Sequence, residues 1–107
     1  MRWRVEVLNE VVAAELDAWP AEVRAALVKI VERIEALGLE RLHQPHVKHL
    51  EGKLWEMRPS ASGIEGRALY VTVKGRRVVI VSTFIKKRQK TPRREIDLAL
   101  ERAKGVI

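Results

Sequence analysis

Cysteine is absent from this chain of 107 residues, and aromatic residues are few. The lack of cysteine excludes disulfide staples, thiolate zinc sites and cysteine nucleophiles, and it fits a reducing compartment. The longest purely aliphatic run, Val78 to Val81, is far too short to span a membrane, and charged residues interrupt the apolar N-terminus. We therefore expect a soluble, cytoplasmic protein that makes no use of a membrane.

The remaining composition is that of a globular protein. Hydrophobic residues make up 47% of the chain and charged residues 33%. No linker, internal repeat or low-complexity segment interrupts it. Residues 1–107 are therefore expected to form a single domain.

Positive charge is concentrated in one segment. The net charge is +7, yet residues 1–40 hold only 5 Lys/Arg against 8 Asp/Glu. The basic segment, residues 86–94, contains six cations and no acid. A cluster of this kind attracts polyanions, so nucleic acid is the leading partner class and an acidic membrane or protein surface comes second.

Hydrophobic periodicity predicts an α+β fold with the element order β-α-α-β-β-β-α. A helical hairpin is expected to pack on a small, mainly antiparallel sheet. Asn9 is a candidate N-cap of the first helix, and Gly38 is placed to end the second. The predicted elements are a strand at 3–7, helices at 9–18 and 20–37, strands at 54–58, 67–73 and 77–85, and a helix from 92 to about 104.

Two connecting segments, one helix cap and the tryptophans complete the structural prediction. Residues 39–53 are expected to form an irregular connection, and residues 59–63 a loop. The pair Thr91-Pro92 is interpreted as a helix cap followed by a first-turn proline. The three tryptophans, Trp3, Trp19 and Trp55, are all expected to face the core.

One candidate site lies on the predicted sheet. Glu56 and Arg58 alternate with apolar residues, and Arg67 begins the adjoining strand, so these three side chains are expected to share an open sheet face. Lys86 or Lys87 would reach the same face from the next strand. The arrangement predicts a cationic surface that carries one carboxylate. The alternative is ordinary cross-strand ion pairing, which contributes little.

The basic segment itself is a candidate RNA-binding element, because cations between a strand and a helix can contact phosphate oxygens. The alternative is a solvated loop that only keeps the protein soluble. Phe84 adjoins this segment and could stack on a base. The three histidines lack the partners of a metal site. The candidate RNA-binding residues are Phe84, Lys86, Arg88, Lys90, Arg93 and Arg94.

Three stretches together resemble the phage-derived, HigB-like branch of the RelE/ParE toxin superfamily. They are Leu54-Trp55-Glu56-Met57-Arg58, Arg67-Ala68-Leu69-Tyr70, and the run from Phe84-Ile85-Lys86-Lys87 to Glu95-Ile96. The resemblance covers essentially the whole chain and implies a RelE-like fold.

The resemblance also implies the toxin of a type II toxin–antitoxin pair. Such a toxin cleaves mRNA on the ribosome without a metal or other cofactor. A cognate HigA-like antitoxin with a helix-turn-helix domain neutralises it, and operator DNA is bound only through the toxin–antitoxin complex. The implied catalytic residues are Arg67, Lys87 and Arg58, with Glu56 or a lysine of the basic segment as the base.

Some family features are missing. The catalytic strand lysines of RelE fall near Leu54 and Glu56, and its C-terminal tyrosine has no counterpart near Thr91. Two other functions therefore stay open. One is a ParE-like inhibitor of DNA gyrase, which needs no cationic cleavage site. The other is an RNA-binding relative that does not cut.

Overall fold

A computed structural model describes residues 2–87 and 90–106 of the chain. Within these residues the fold contains three α-helices and six strands, together with a short 3-10 turn at Leu39–Arg41. The strands are β1 (Arg4–Val7), β2 (Val47–Glu51), β3 (Leu54–Met57), β4 (Ser60–Ala61), β5 (Ile64–Val73) and β6 (Arg77–Ile85). The helices are α1 (Glu10–Asp17), α2 (Ala21–Leu37) and α3 (Arg93–Ala103).

The strands form one mixed sheet with the order β1-β6-β5-β3-β2, and β4 pairs with β5 beside this path. β1 runs parallel to β6, and the other pairs are antiparallel. The predicted α+β class and the mainly antiparallel sheet are confirmed. Two strands were missed: residues 47–51 form β2, which pairs with β3, and residues 60–61 form β4.

Both faces of the sheet are covered. The α1–α2 hairpin packs on one face, where Val23, Leu27 and Ile34 meet Met57 and Tyr70. Helix α3 packs on the other face, and its buried Ala99 and Ala103 contact a cluster that includes Leu54, Leu69 and Val81. The nearly continuous apolar sequence of β6 reflects this two-sided burial.

The ends of the first two helices follow the predicted chemistry. The Asn9 side chain accepts a hydrogen bond of 3.1 Å from the backbone N–H of Val12. Gly38 ends α2 at a φ of +98°, a conformation that glycine adopts at little cost.

The prediction for the tryptophans was only partly right. Trp19 is buried, Trp3 is half-buried, and Trp55 is 39% exposed. Trp55 borders an open groove together with Leu42 and Val47, so part of its ring stays in contact with solvent. Its ring makes an edge-on contact with His49 instead, with ring centroids 5.0 Å apart.

At Gly66 of β5, the helical hairpin packs tightly against the sheet. A Cβ atom at this position would lie 2.6 Å from the ring of Trp19 and 3.1 Å from Val23. We expect Gly66→Ala to lower the free energy of unfolding by about 1–3 kcal/mol, because overpacking forces the ring or the helix to shift. Urea unfolding measures the change.

Gly105→Ala is the matched control, because a Cβ there meets only an ordinary contact of 3.8 Å. Equal stability of the two variants would contradict the close packing of Trp19 against β5.

Candidate functional site

The candidate site lies where β3 ends, β5 begins and β6 ends. Arg67 of β5 pairs in register with Phe84 of β6, and Glu56 of β3 pairs with the nearby Leu69. Directly after Leu69, β6 carries a bulge, since Leu69 pairs with Ser82 while Tyr70 pairs with Ile80. Arg67 therefore lies between the bulge and the end of β6.

The structure brings the predicted trio of Glu56, Arg58 and Arg67 together. The carboxylate Oε2 of Glu56 lies 3.6 Å from Nε of Arg58 and 3.7 Å from Nε of Arg67. Its other oxygen, Oε1, accepts a hydrogen bond of 2.7 Å from the hydroxyl of Thr91. The three predicted side chains therefore form one connected ionic cluster.

This cluster is closed, and the expectation of an open sheet face was wrong. Glu56 is 3% exposed and Arg67 is 2% exposed, whereas the side chain of Arg58 keeps 25% of its surface in contact with solvent. Helix α3 packs on this face, and Thr91, shortly before the helix, donates a hydrogen bond to Glu56. The capping prediction for Thr91 was also wrong. Pro92 is the N-cap of α3, and the Thr91 hydroxyl donates its hydrogen bond to Glu56 instead.

A second carboxylate, Glu65, belongs to the site and was missed from the sequence. Its Oε1 lies 3.0 Å from Nη2 of Arg67 and 3.4 Å from Nζ of Lys86. The hydrogen bond from Arg67 and the charge of Lys86 hold the pKa of Glu65 below its usual range. The available signal was its spacing of two from Arg67, which puts both side chains on one face of β5.

The cations of the basic segment fall into two groups. Lys87, Lys90 and Arg94 are exposed and make no ion pair within residues 2–87 and 90–106. Lys86 is half-buried against Glu65, and Phe84 is half-buried against the core under α3. Arg88 lies outside the described residues. Solvent therefore reaches three cations around a closed ionic cluster.

Arg93 differs from its neighbours. Its guanidinium donates to both carboxylate oxygens of Glu51, at 2.7 and 3.0 Å, and to Asp97 at 2.9 Å. These hydrogen bonds raise the pKa of Arg93 and lower that of Glu51. Arg93 thus ties the first turn of α3 to β2, and its charge is already paired.

The histidines make separate contacts. His46 lies 3.4 Å from Nη1 of Arg33, and His49 bonds the carbonyl of Gly52 at 2.8 Å. Among the residues that the structure describes, no three His, Cys, Asp or Glu side chains are grouped as metal ligands would be.

Family comparison supplies the evolutionary context of this site. Residues 14–104 match the family described as phage derived protein Gp49-like. The chain belongs to this family. It is also 31% identical over 90 residues to "Probable endoribonuclease HigB1" of Mycobacterium tuberculosis, in strains CDC 1551 / Oshkosh and H37Rv. The match covers 84% of this chain and 69% of the relative. The predicted membership in the HigB-like branch of the RelE-like toxin superfamily is confirmed.

A solved structure gives independent support for the fold. The chain resembles the archaeal RelE–RelB complex from Pyrococcus horikoshii OT3 with a TM-score of 0.57 and 21% sequence identity. The alignment covers 85% of this chain and all of the matched chain. The RelE-like fold predicted from the sequence is confirmed. Within the described part of the chain, no helix is long and apolar enough to cross a membrane.

The hydrogen bond between Thr91 and Glu56 can be tested by the nearly isosteric change Thr91→Val. It removes one donor from a buried carboxylate, so we expect the free energy of unfolding to fall by about 1–3 kcal/mol. Chemical denaturation measures the loss.

Thr72→Val serves as the control, because Thr72 is an exposed residue of the same fold. A loss no larger than that of the control would contradict a stabilising role for the Thr91 hydroxyl.

Proposed function

We propose that this protein is the toxin of a type II toxin–antitoxin pair and that it cleaves mRNA bound to the ribosome. The name of the 31% identical mycobacterial relative supports endoribonuclease activity. The RelE–RelB complex supports a protein antitoxin as partner. We further propose a HigA-like antitoxin, binding of operator DNA only through that partner, and action in the cytoplasm.

The observation that carries the proposal is the concentration of cations at one end of the sheet. Arg58 and Arg67 meet at Glu56, and Lys86, Lys87 and the rest of the basic segment begin where β6 ends. Cleavage by attack of a ribose 2′-OH on the adjacent phosphate passes through a pentacoordinate transition state with added negative charge. Fixed cations stabilise that charge without a metal.

Burial divides the proposed roles of these residues. Arg67 bonds the carbonyl of Gly66 at 2.8 Å and the carboxylate of Glu65 at 3.0 Å, and it is closed to solvent. We assign Arg67 and Glu56 the task of fixing the geometry of the site. Lys87, which is exposed, and Arg58, which is partly exposed, are the residues that we propose to contact the reacting phosphate.

The contacts of the carboxylates favour the same division. Glu56 already accepts a hydrogen bond from Thr91 and lies between two guanidinium groups, an environment that suits a positioning residue better than a general base. The lowered pKa of Glu65 makes that carboxylate a weak base. The cluster therefore contributes chiefly by stabilising charge and by orienting the RNA.

Induction in a bacterial host tests the function directly. We expect incorporation of labelled methionine to fall within minutes, before incorporation of labelled thymidine. Lys87→Ala should slow this arrest at least about tenfold, since it removes a transition-state contact from an exposed position. Lys74→Ala, at the distant β5–β6 turn, is the matched control and should arrest translation like the native protein.

The other outcomes separate the alternatives. If thymidine incorporation fell first, gyrase inhibition would replace RNA cleavage as the function. If soluble protein changed neither label, the chain would be a relative that binds RNA and does not cut. Full activity of Lys87→Ala would remove Lys87 from the site.

The chemistry of the cut ends tests the proposed mechanism. Attack by the 2′-OH leaves a 2′,3′-cyclic phosphate on one fragment and a 5′-OH on the other. We expect these ends on mRNA recovered after induction, as measured by ligation that is specific for each end. Fragments with 5′-phosphate and 3′-OH ends would instead indicate that water attacks the phosphorus and the 3′ oxygen leaves. That result would overturn the mechanism.

A further inference from the structure

A cleft on the other side of the sheet is lined by basic side chains and adjoins the site at Arg58. It has a volume of about 490 Å³ and lies between α2, the turn before β2 and the segment from the end of β3 through β4. Four of its residues bear basic side chains: Lys29, Arg33, His46 and Arg58. Its only carboxylate among the described lining residues is Glu22, which accepts a hydrogen bond of 3.0 Å from Ser62.

The cations of this cleft are poorly compensated. Within the described part of the chain, Lys29 has no ion-pair partner, and Arg33 contacts only the ring nitrogen of His46. Arg58 is ion-paired with Glu56 at 3.6 Å through its buried Nε, and a quarter of its side-chain surface stays in contact with solvent. Lys29, Arg33 and the exposed part of Arg58 are therefore available to a negatively charged ligand in the cleft.

We propose that this cleft binds a phosphodiester group of the RNA next to the one that is cut. The inference rests on the proposed function and extends it. Arg58 both lines the cleft and contacts Glu56, so it joins the cleft to the ionic cluster. An RNA strand that passes the end of β3 can therefore place neighbouring phosphates on either side of Arg58. Guanidinium and ammonium groups are the usual donors for such phosphates.

The test uses a single-stranded decamer of 2′-O-methyl RNA, which lacks the attacking hydroxyl and cannot be cut. The variant is Lys29→Ala/Arg33→Ala, whose two side chains are exposed on α2. Fluorescence anisotropy measures Kd at several salt concentrations. We expect Kd to rise roughly two- to thirtyfold at low salt. The slope of log Kd against log salt should fall by about 1.

Arg24→Ala/Lys74→Ala is the control of equal charge. Arg24 lies on the same helix but lines a different groove, and Lys74 lies in the β5–β6 turn. Equal effects of the two double variants would show a general effect of net charge and would overturn the proposal. Unchanged binding in Lys29→Ala/Arg33→Ala would overturn it as well.

Two further measurements distinguish an RNA site from a peptide site and separate this proposal from the proposed function. A decaglutamate peptide is the probe for an acidic protein segment. If Lys29→Ala/Arg33→Ala weakened binding of this peptide as much as binding of the RNA, the cleft would be a peptide site, which contradicts the proposal. Cut ends are measured separately with the native protein. Their absence would overturn the proposed function, while a changed salt slope would still assign the cleft to RNA.

Discussion

The arrangement of the site depends on one buried carboxylate. Glu56 stands on β3 with almost no access to solvent, so its charge must be balanced by donors from its surroundings. The balance comes from three parts of the chain: Arg58 after β3 and Arg67 on β5 form ion pairs with Glu56, and Thr91 before α3 donates a hydrogen bond to it. Because an uncompensated buried charge costs several kcal/mol, Glu56 couples the position of α3 to the sheet. The exposed cations before α3 are thereby held close to the end of β6.

The positive charge of the protein serves two different purposes. Arg67 and Arg93 form ion pairs with nearby carboxylates. These pairs connect β5 to β3 and α3 to β2, and together they form one frame. Lys87 and Lys90 stand exposed beside that frame without such partners among the described residues. Only charge that is not neutralised internally attracts a polyanion strongly, so the number of cations alone overstates the binding surface. The useful distinction is between cations that build the site and cations that face solvent.

Local sequence rules predicted much of the fold and less of the site. The caps at Asn9 and Gly38 and the apolar run of β6 depend on neighbours in the chain, and they were found correctly. Thr91 was misassigned because a threonine before a proline fits a cap, while its actual acceptor lies 35 residues away. Trp55 was misplaced because alternation gives the face of a strand but says nothing of what covers that face. Alternation on β3 and β5 did place Glu56, Arg58 and Arg67 together; the burial of Glu56 and Arg67 depended on the packing of α3.

Arg58 is suited to ligand binding because its hydrogen-bond donors are not all paired within the described part of the protein. Its neighbour Arg67 donates short hydrogen bonds to Gly66 and Glu65, so these donors are already paired without a ligand. Arg58 keeps a long contact to Glu56, a buried Nε–H without an acceptor and part of its surface in solvent. A phosphate oxygen can reach the exposed part of the Arg58 side chain while Glu56 retains Arg67 and Thr91 as partners. Phosphate binding at Arg58 therefore need not dismantle the buried cluster, and the geometry that fixes the fold is compatible with a site that receives RNA.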